Sequence, residues 1–210
     1  MEPIRLMVVD IYHGDHVVSF ARAKQAGIYG IIHKASEGAG MIDPKYARRR
    51  QRARAAGLLW GAYHFGTSDA VAAQVDNFLS AAAPGNDTLV ALDYEPNGAD
   101  TMSLEQARQF LTMIDSRLGR KAVLYSGNLI KEQLGDRVDP FFASHRLWLA
   151  EYGPVPRVPP SWSQQWLWQY SGDGIGPDPK TVAGIPGAGG CIDCNSYERS
   201  PADLEVEWAS

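Results

Sequence analysis

Short apolar runs alternate along the chain with segments whose apolar positions recur at helical spacing. The runs at 5–10 (RLMVVD), 29–36 (YGIIHKAS), 58–66 (LLWGAYHFG), 87–95 (DTLVALDYE) and 121–127 (KAVLYSG) read as strands. Helical patterns follow at 16–27, 43–57, 68–82, 103–119 and 128–135. Gly27 and Gly57 are good helix stops. Asp43 followed by Pro44 predicts an N-cap and a first helical position. Ser68 predicts a cap for the third helix, and Ser103 with Gln106 has the spacing of a capping box.

Beyond residue 135 the pattern changes. Segments 145–153, 164–172 and 190–197 are strand-like, but Pro- and Gly-rich loops such as GPVPRVPPSW and GIPGAGG take the place of long helices. Strands alternating with helices imply a parallel sheet, and eight strands suffice to close one around packed side chains. The expectation is an α/β fold: a modified TIM-like barrel of five β-α units followed by three strands with few or no helices. Its 210 residues fit one domain, 1–210. An ordinary barrel of this kind runs to about 250 residues, and the missing helices account for the shortfall.

Active sites in such barrels lie at the C-terminal ends of the strands. Asp10 ends the first predicted strand, Asp93 and Glu95 the fourth, and Asp193 the last. Residues i and i+2 of a strand share a face, which puts Asp93 and Glu95 about 7 Å apart along the backbone at ~3.3 Å per residue. Neighbouring carboxyls cannot all ionise freely, so one keeps its proton and serves as an acid while another stays charged. Glycoside hydrolysis uses such a pair. The same acids could serve as helix caps or ion-pair partners. With His13, His33 or His64 they could hold a metal, but no HxH or HExxH spacing supports that. Trp60, Tyr63, Phe65, Tyr125, Trp148, Tyr152, Trp166, Trp168 and Tyr170 lie in or beside the strands. Most belong to a core; those near strand ends could offer platforms to sugar rings.

Composition narrows the partners. The chain is 45% hydrophobic and 21% charged, as ordinary globular proteins are. A net charge of -4 gives no basic stripe for nucleic acid. The one basic run, RRRQRAR at 48–54, reads as a solvated helix face or as a patch for an anionic polymer. No apolar stretch approaches the roughly 20 residues of a membrane span. The N-terminus lacks a signal-peptide pattern, because Asp10 interrupts a short apolar run. This predicts a chain that stays in the cytoplasm, leaves by another route, or is already trimmed. Cys191 and Cys194 form a CxxC without a second ligand pair for zinc. In a strand they face opposite sides, which predicts two free thiols.

The segments VVDIYHGD, GIIHKASEG, GAYHFG, ALDYEPN, VLYSGN, LWLAEYG, WLWQYSG and CIDCNSY, in this order over residues 6–197, resemble the glycoside hydrolase family 25 lysozymes, the N-acetylmuramidases. The resemblance implies cleavage of the β-1,4 bond between N-acetylmuramic acid and N-acetylglucosamine in the glycan strand of peptidoglycan. It implies Glu95 as general acid. Asp93 would set the proton affinity of Glu95 or steady the substrate's 2-acetamido group, and Asp193 and Asp10 would hold charge and orientation at the site floor. Tyr63, Tyr125 and Trp148, with Lys34 and Gln169, would bind sugar. No cofactor or metal is implied, and a monomer is expected. Lack of a signal peptide fits a phage endolysin, which accumulates in the cytoplasm and is released to the wall through a holin pore. Tyr12 departs from the Ser common at this place in the family. Two other readings compete: a peptidoglycan-binding barrel with a weak or dead site, and a glycosidase on another N-acetylated glycan. Glu95 argues against the first. Ala91, standing where chitinase-like barrels carry the first acid of D-x-D-x-E, argues against a chitinase.

Overall fold

A computed structural model describes residues 4–210. The chain runs β1 (Leu6–Ile11), α1 (Phe20–Gln25), β2 (Gly30–Glu37), β3 (Met41–Ile42), α2 (Tyr46–Ala55), β4 (Leu59–Phe65), α3 (Val71–Ala82), β5 (Thr88–Asp93), α4 (Leu104–Leu118), β6 (Val123–Ser126), α5 (Asn128–Leu134), α6 (Pro140–Ala143), β7 (Leu147–Ala150), β8 (Leu167–Ser171), β9 (Asp193–Ser196) and α7 (Pro201–Glu207). Eight strands pair in the order β1-β9-β8-β7-β6-β5-β4-β2, and β1 pairs with β2 to close the barrel. The two-residue β3 is an antiparallel flap on β2. The fold is the α/β barrel expected from the alternation of runs.

Local signals account for several boundaries. Gly27 and Gly57 end their helices at φ +94° and +74°, a left-handed region that glycine enters without steric cost. The capping box forms: the Ser103 hydroxyl accepts from Gln106 N–H, and the Gln106 amide oxygen accepts from Ser103 N–H. Two expected caps do not form. α2 starts at Tyr46 behind Lys45, and the Asp43 carboxylate instead accepts from the backbone N–H groups of His13 and Lys45. α3 starts at Val71 behind Ala70, while the Ser68 hydroxyl donates to Asp100 from a neighbouring loop. At Ser68 a tertiary partner outcompetes the local one, while Asp43 keeps a local bond to Lys45 N–H and adds a tertiary one to His13 N–H.

The final strand differs from expectation in direction. β9 is antiparallel to both β1 and β8. Asp193 therefore opens its strand rather than ending it. An antiparallel strand starts where its parallel neighbours finish, so Asp193 still reaches the same end of the barrel. It sits directly opposite Asp10 in the ladder.

Inward and outward faces build two cores. Between sheet and helices lie Val9, Ile31, Val75, Phe78, Phe110, Leu124 and their neighbours. Inside the barrel lie Val8, Ile32, Leu89, Ala91, Val123, Trp148 and Leu167. α7, which the sequence pattern did not predict, supplies Leu204 and Trp208 to this inner core. The Trp208 indole donates to Trp60 O at 2.8 Å and its ring packs on Gly30, where a Cβ would come within 2.5 Å of it. The basic run is not simply a solvated face. Arg49 is buried and donates to Tyr12 O at 2.7 Å and Asp15 O at 2.5 Å, while Arg50 donates to Ala82 O and Ala83 O at 2.9 Å. Among the described residues no helix is long and apolar enough to cross a membrane.

Candidate active site

Inward-facing positions continue past the apolar layer toward the C-terminal ends of the strands. Two residues beyond Val8 comes Asp10, and two beyond Ala91 comes Asp93. Tyr63, Tyr125, Gln169 and Asn195 occupy the same layer on β4, β6, β8 and β9. Glu95 lies just past the end of β5, where Pro96 follows it. A cavity of about 120 Å³ opens here, lined by Asp10, Tyr63, Asp93, Glu95, Tyr125, Trp148, Tyr152, Asp173 and Asp193. A second, of about 440 Å³, shares Glu95, Tyr152 and Asp173 with it and extends past Glu151 and Arg157. The two form one groove with a deep acidic pit.

The floor of the pit is a closed hydrogen-bond network. The Gln169 amide donates to both Asp10 oxygens at 2.9 and 3.0 Å, and the Asn195 amide donates to Asp10 Oδ1 at 2.7 Å. The Tyr125 hydroxyl donates to Gln169 Oε1 at 2.8 Å, and the Trp148 indole donates to Asn195 Oδ1 at 2.6 Å. Tyr125 and Trp148 pack with ring centroids 4.4 Å apart. Amide donors favour the ionised carboxylate, so Asp10 is the acid of the four best held as an anion. Burial nonetheless pushes its pKa up to about 7, against the pull of Asn195 and Gln169.

Asp93 has no such support. It is buried, and its Oδ1 has no hydrogen-bond partner. Burial, then the charge of Glu95, drives its pKa well above the ordinary carboxylate value. Glu95 is raised to about 7, first by burial and then by Asp193 and Asp173. Asp193 rises to about 8, by burial and then by Asp10, although it accepts from Asp173 N–H at 3.3 Å. One mouth thus holds five carboxyls, of which burial and mutual repulsion raise four, Asp10, Asp93, Glu95 and Asp193, while amide N–H donors pull Asp10 back.

The expected sugar-binding residues divide. Tyr63, Tyr125 and Trp148 line the pit. Gln169 is completely buried beneath it and acts on Asp10. Lys34 stands outside the lining, ion-paired with Glu37 and placed over the Phe65 ring at 4.7 Å. Two residues at the site, Asn195 and Asp173, were not foreseen, and Tyr152 was named only among the strand aromatics. Asn195 was within reach of the strand period, being two residues from Asp193. Asp173 stands on a loop, and no periodicity speaks for it; Tyr152 lies in the predicted strand 145–153 but stands just past the end of β7. Tyr152 packs over Gly172, where a Cβ would meet its hydroxyl at 2.3 Å.

The three histidines weighed as metal ligands lie apart. His13 contacts Asp43, His33 contacts Lys34 O and Arg49, and His64 bridges Ser36 and Gln74. Among the described residues no three His, Cys, Asp or Glu side chains gather in a metal-holding group. Cys191 and Cys194 are free thiols, with Cys194 buried.

The family model for glycosyl hydrolases family 25 matches residues 9–178. The chain belongs to that family. Three of the four acids fall within the matched stretch, and Asp193 lies beyond it. Among relatives of this family 25 chain, the protein YegX of Escherichia coli O6:H1 is 30% identical over 82% of the chain. The matched stretch spans only 60% of that relative's own length. Lysozyme M1 of Streptomyces globisporus is 26% identical over 93% of the chain and 69% of its own. Among solved structures, the bacterial lysozyme from Streptomyces coelicolor superposes with a TM-score of 0.82, at 26% identity and with 97% of each chain covered.

Proposed function

We propose that this family 25 chain, acting as a single catalytic domain, is a lysozyme. Its substrate is the peptidoglycan glycan strand, and it hydrolyses the β-1,4 bond between N-acetylmuramic acid and N-acetylglucosamine. The observation that carries the reading is the place of Glu95: a carboxyl at the lip of a carboxylate-lined pit, where burial and then Asp193 push its pKa up to about 7. A general acid needs a pKa close to its working pH. Glu95 gives its proton to the glycosidic oxygen as the bond to the leaving sugar breaks. Positive charge then develops on the sugar ring, and Asp10, fixed by the Gln169 and Asn195 amides, offers a preorganised negative charge to it. Water completes the hydrolysis: its oxygen bonds to the anomeric carbon and its proton returns to the Glu95 carboxylate. Asp193, opposite Asp10 in the ladder, supports the charge balance of the pit. The unpartnered Asp93 Oδ1 is free to receive a polar group of the substrate, and the 2-acetamido N–H of a bound sugar is a donor of the right kind. Tyr63, Tyr125 and Trp148 give the sugar its walls.

The test is a digest of purified peptidoglycan, followed by borohydride reduction and mass spectrometry. Reduced muramic acid at the new ends supports the reading. Reduced glucosamine keeps a hydrolase but overturns the bond assignment, and no new reducing ends overturn both.

A further inference from the structure

The Pro-rich loop after β7 carries chemistry that the catalytic pit does not use. Glu151 is 9% exposed and fixed by its backbone: its N–H donates to Gln169 O at 3.1 Å, and its carbonyl accepts from the Trp168 indole at 2.8 Å. Its carboxylate holds two cations. Lys131 of α5 pairs with Oε2, and Arg157 pairs with Oε1 through Nε at 2.6 Å and Nη2 at 2.5 Å. One negative charge between two positive ones leaves the cluster with a net positive charge. Only part of the Arg157 fork of five N–H donors is spent on Glu151. Its side chain is 79% exposed, and it lines the outer part of the 440 Å³ groove. Pro154, Pro156, Pro159 and Pro160 flank it and restrict the backbone that presents it.

The groove is therefore polarised along its length. Glu95 and Asp173 stand at the end shared with the pit, and the spare guanidinium donors stand at the other. A neutral glycan has no use for this gradient. A chain bearing carboxylates is repelled from the inner end and drawn to the outer one, where a planar fork matches a planar anion. We infer that Arg157, held by Glu151 and Lys131, is a specificity-determining subsite for a carboxylate carried by the glycan substrate, either on the stem peptide or on the exposed lactyl group. This rests on the muramidase reading for the identity of the glycan.

The test compares wild type, Arg157→Gln and Arg157→Lys on three soluble strands. The first carries intact stem peptides. The second has been stripped by an amidase, leaving lactyl carboxylates. In the third every carboxyl has been converted to a neutral methylamide. Arg157→Gln is expected to raise KM about two- to fivefold, the size of an exposed ion pair, on carboxylate-bearing strands, with kcat unchanged. It should match wild type on the neutral strand. Arg157→Lys, which keeps the charge but not the planar fork, should recover only part of the loss, and added salt should shrink the difference. A defect confined to the first strand assigns the stem peptide, and one confined to the second assigns the lactyl group. Unchanged KM on both charged strands overturns the inference. So does an equal defect on the neutral strand, which would mean loop packing. If wild type cleaves none of the strands, the muramidase reading falls. Binding of the same strands, read by tryptophan fluorescence, then decides the subsite: weaker binding of charged strands by Arg157→Gln supports it, and equal or absent binding overturns it.

Discussion

The two ends of the barrel are built on the same inward-facing positions and do opposite work. Toward the N-terminal end the layer is Val8, Ile32, Ala91, Val123 and Leu167, with Trp208 after α7 sealing the core below. One step of the strand period further on, the positions are Asp10, Tyr63, Asp93, Tyr125, Gln169 and Asn195. The lower layer removes apolar surface from water and stabilises the fold. The upper layer gives up that gain: it buries carboxyls, one of which has an oxygen with no partner at all. Stability at one end allows strain at the other, and the predictions probe that division.

Trp208→Ala opens a large hole beneath the barrel, since the indole is 1% exposed and also loses its bond to Trp60 O. Thermal or denaturant unfolding should show a loss of about 3–5 kcal/mol. The specific activity of the folded fraction should stay within about twofold, because a fall in activity without a fall in stability would erase the distinction between the ends. Glu95→Gln is the converse. Its kcat on peptidoglycan should drop by roughly a hundredfold or more with unfolding little changed, and near-normal turnover would remove Glu95 from the acid's role.

Asp193→Asn sits between these in effect on the fold. The folded-state pKa of Asp193, about 8, lies above its unfolded value, so the protonated form is favoured by folding. That contribution is complete below about pH 4 and is gone once the pH has risen through about 8. Melting temperatures should therefore fall from pH 5 to pH 8 in the wild type, and fall less in the variant. At pH 8 the variant should be the more stable, by on the order of 1 kcal/mol, while its activity is reduced. A variant with the same pH slope as wild type would show that Asp193 does not titrate as its surroundings dictate.

Much of this architecture was legible in the sequence, and the failures have physical causes. The five β-α units were readable because apolar runs, Gly27, Gly57 and the Ser103–Gln106 box are local signals. The direction of β9 was not, because strand polarity depends on how the preceding loops cross the barrel. Asp193 arrived at the right mouth from the wrong end of its strand for that reason. Ser68 looked like a cap until Asp100 reached it from another loop, and Arg49 looked solvated until it turned inward to Tyr12 O and Asp15 O. The acids themselves were visible because a carboxyl at the end of an apolar run is conspicuous. Their partner Gln169 was assigned to sugar, since no local pattern says whether a side chain lines a pit or lies beneath its floor. Asp173 and Arg157 stand on loops, where sequence periodicity is silent.

The central claim is that the barrel mouth keeps a proton on Glu95 near neutral pH. Carbon-13 NMR of the glutamate side-chain carboxyls, with Glu95→Gln to assign the resonance, measures this directly. The account predicts that the signal missing from the variant titrates at about 7 in the wild type. A Glu95 carboxyl titrating near the ordinary value of about 4.3 would contradict it.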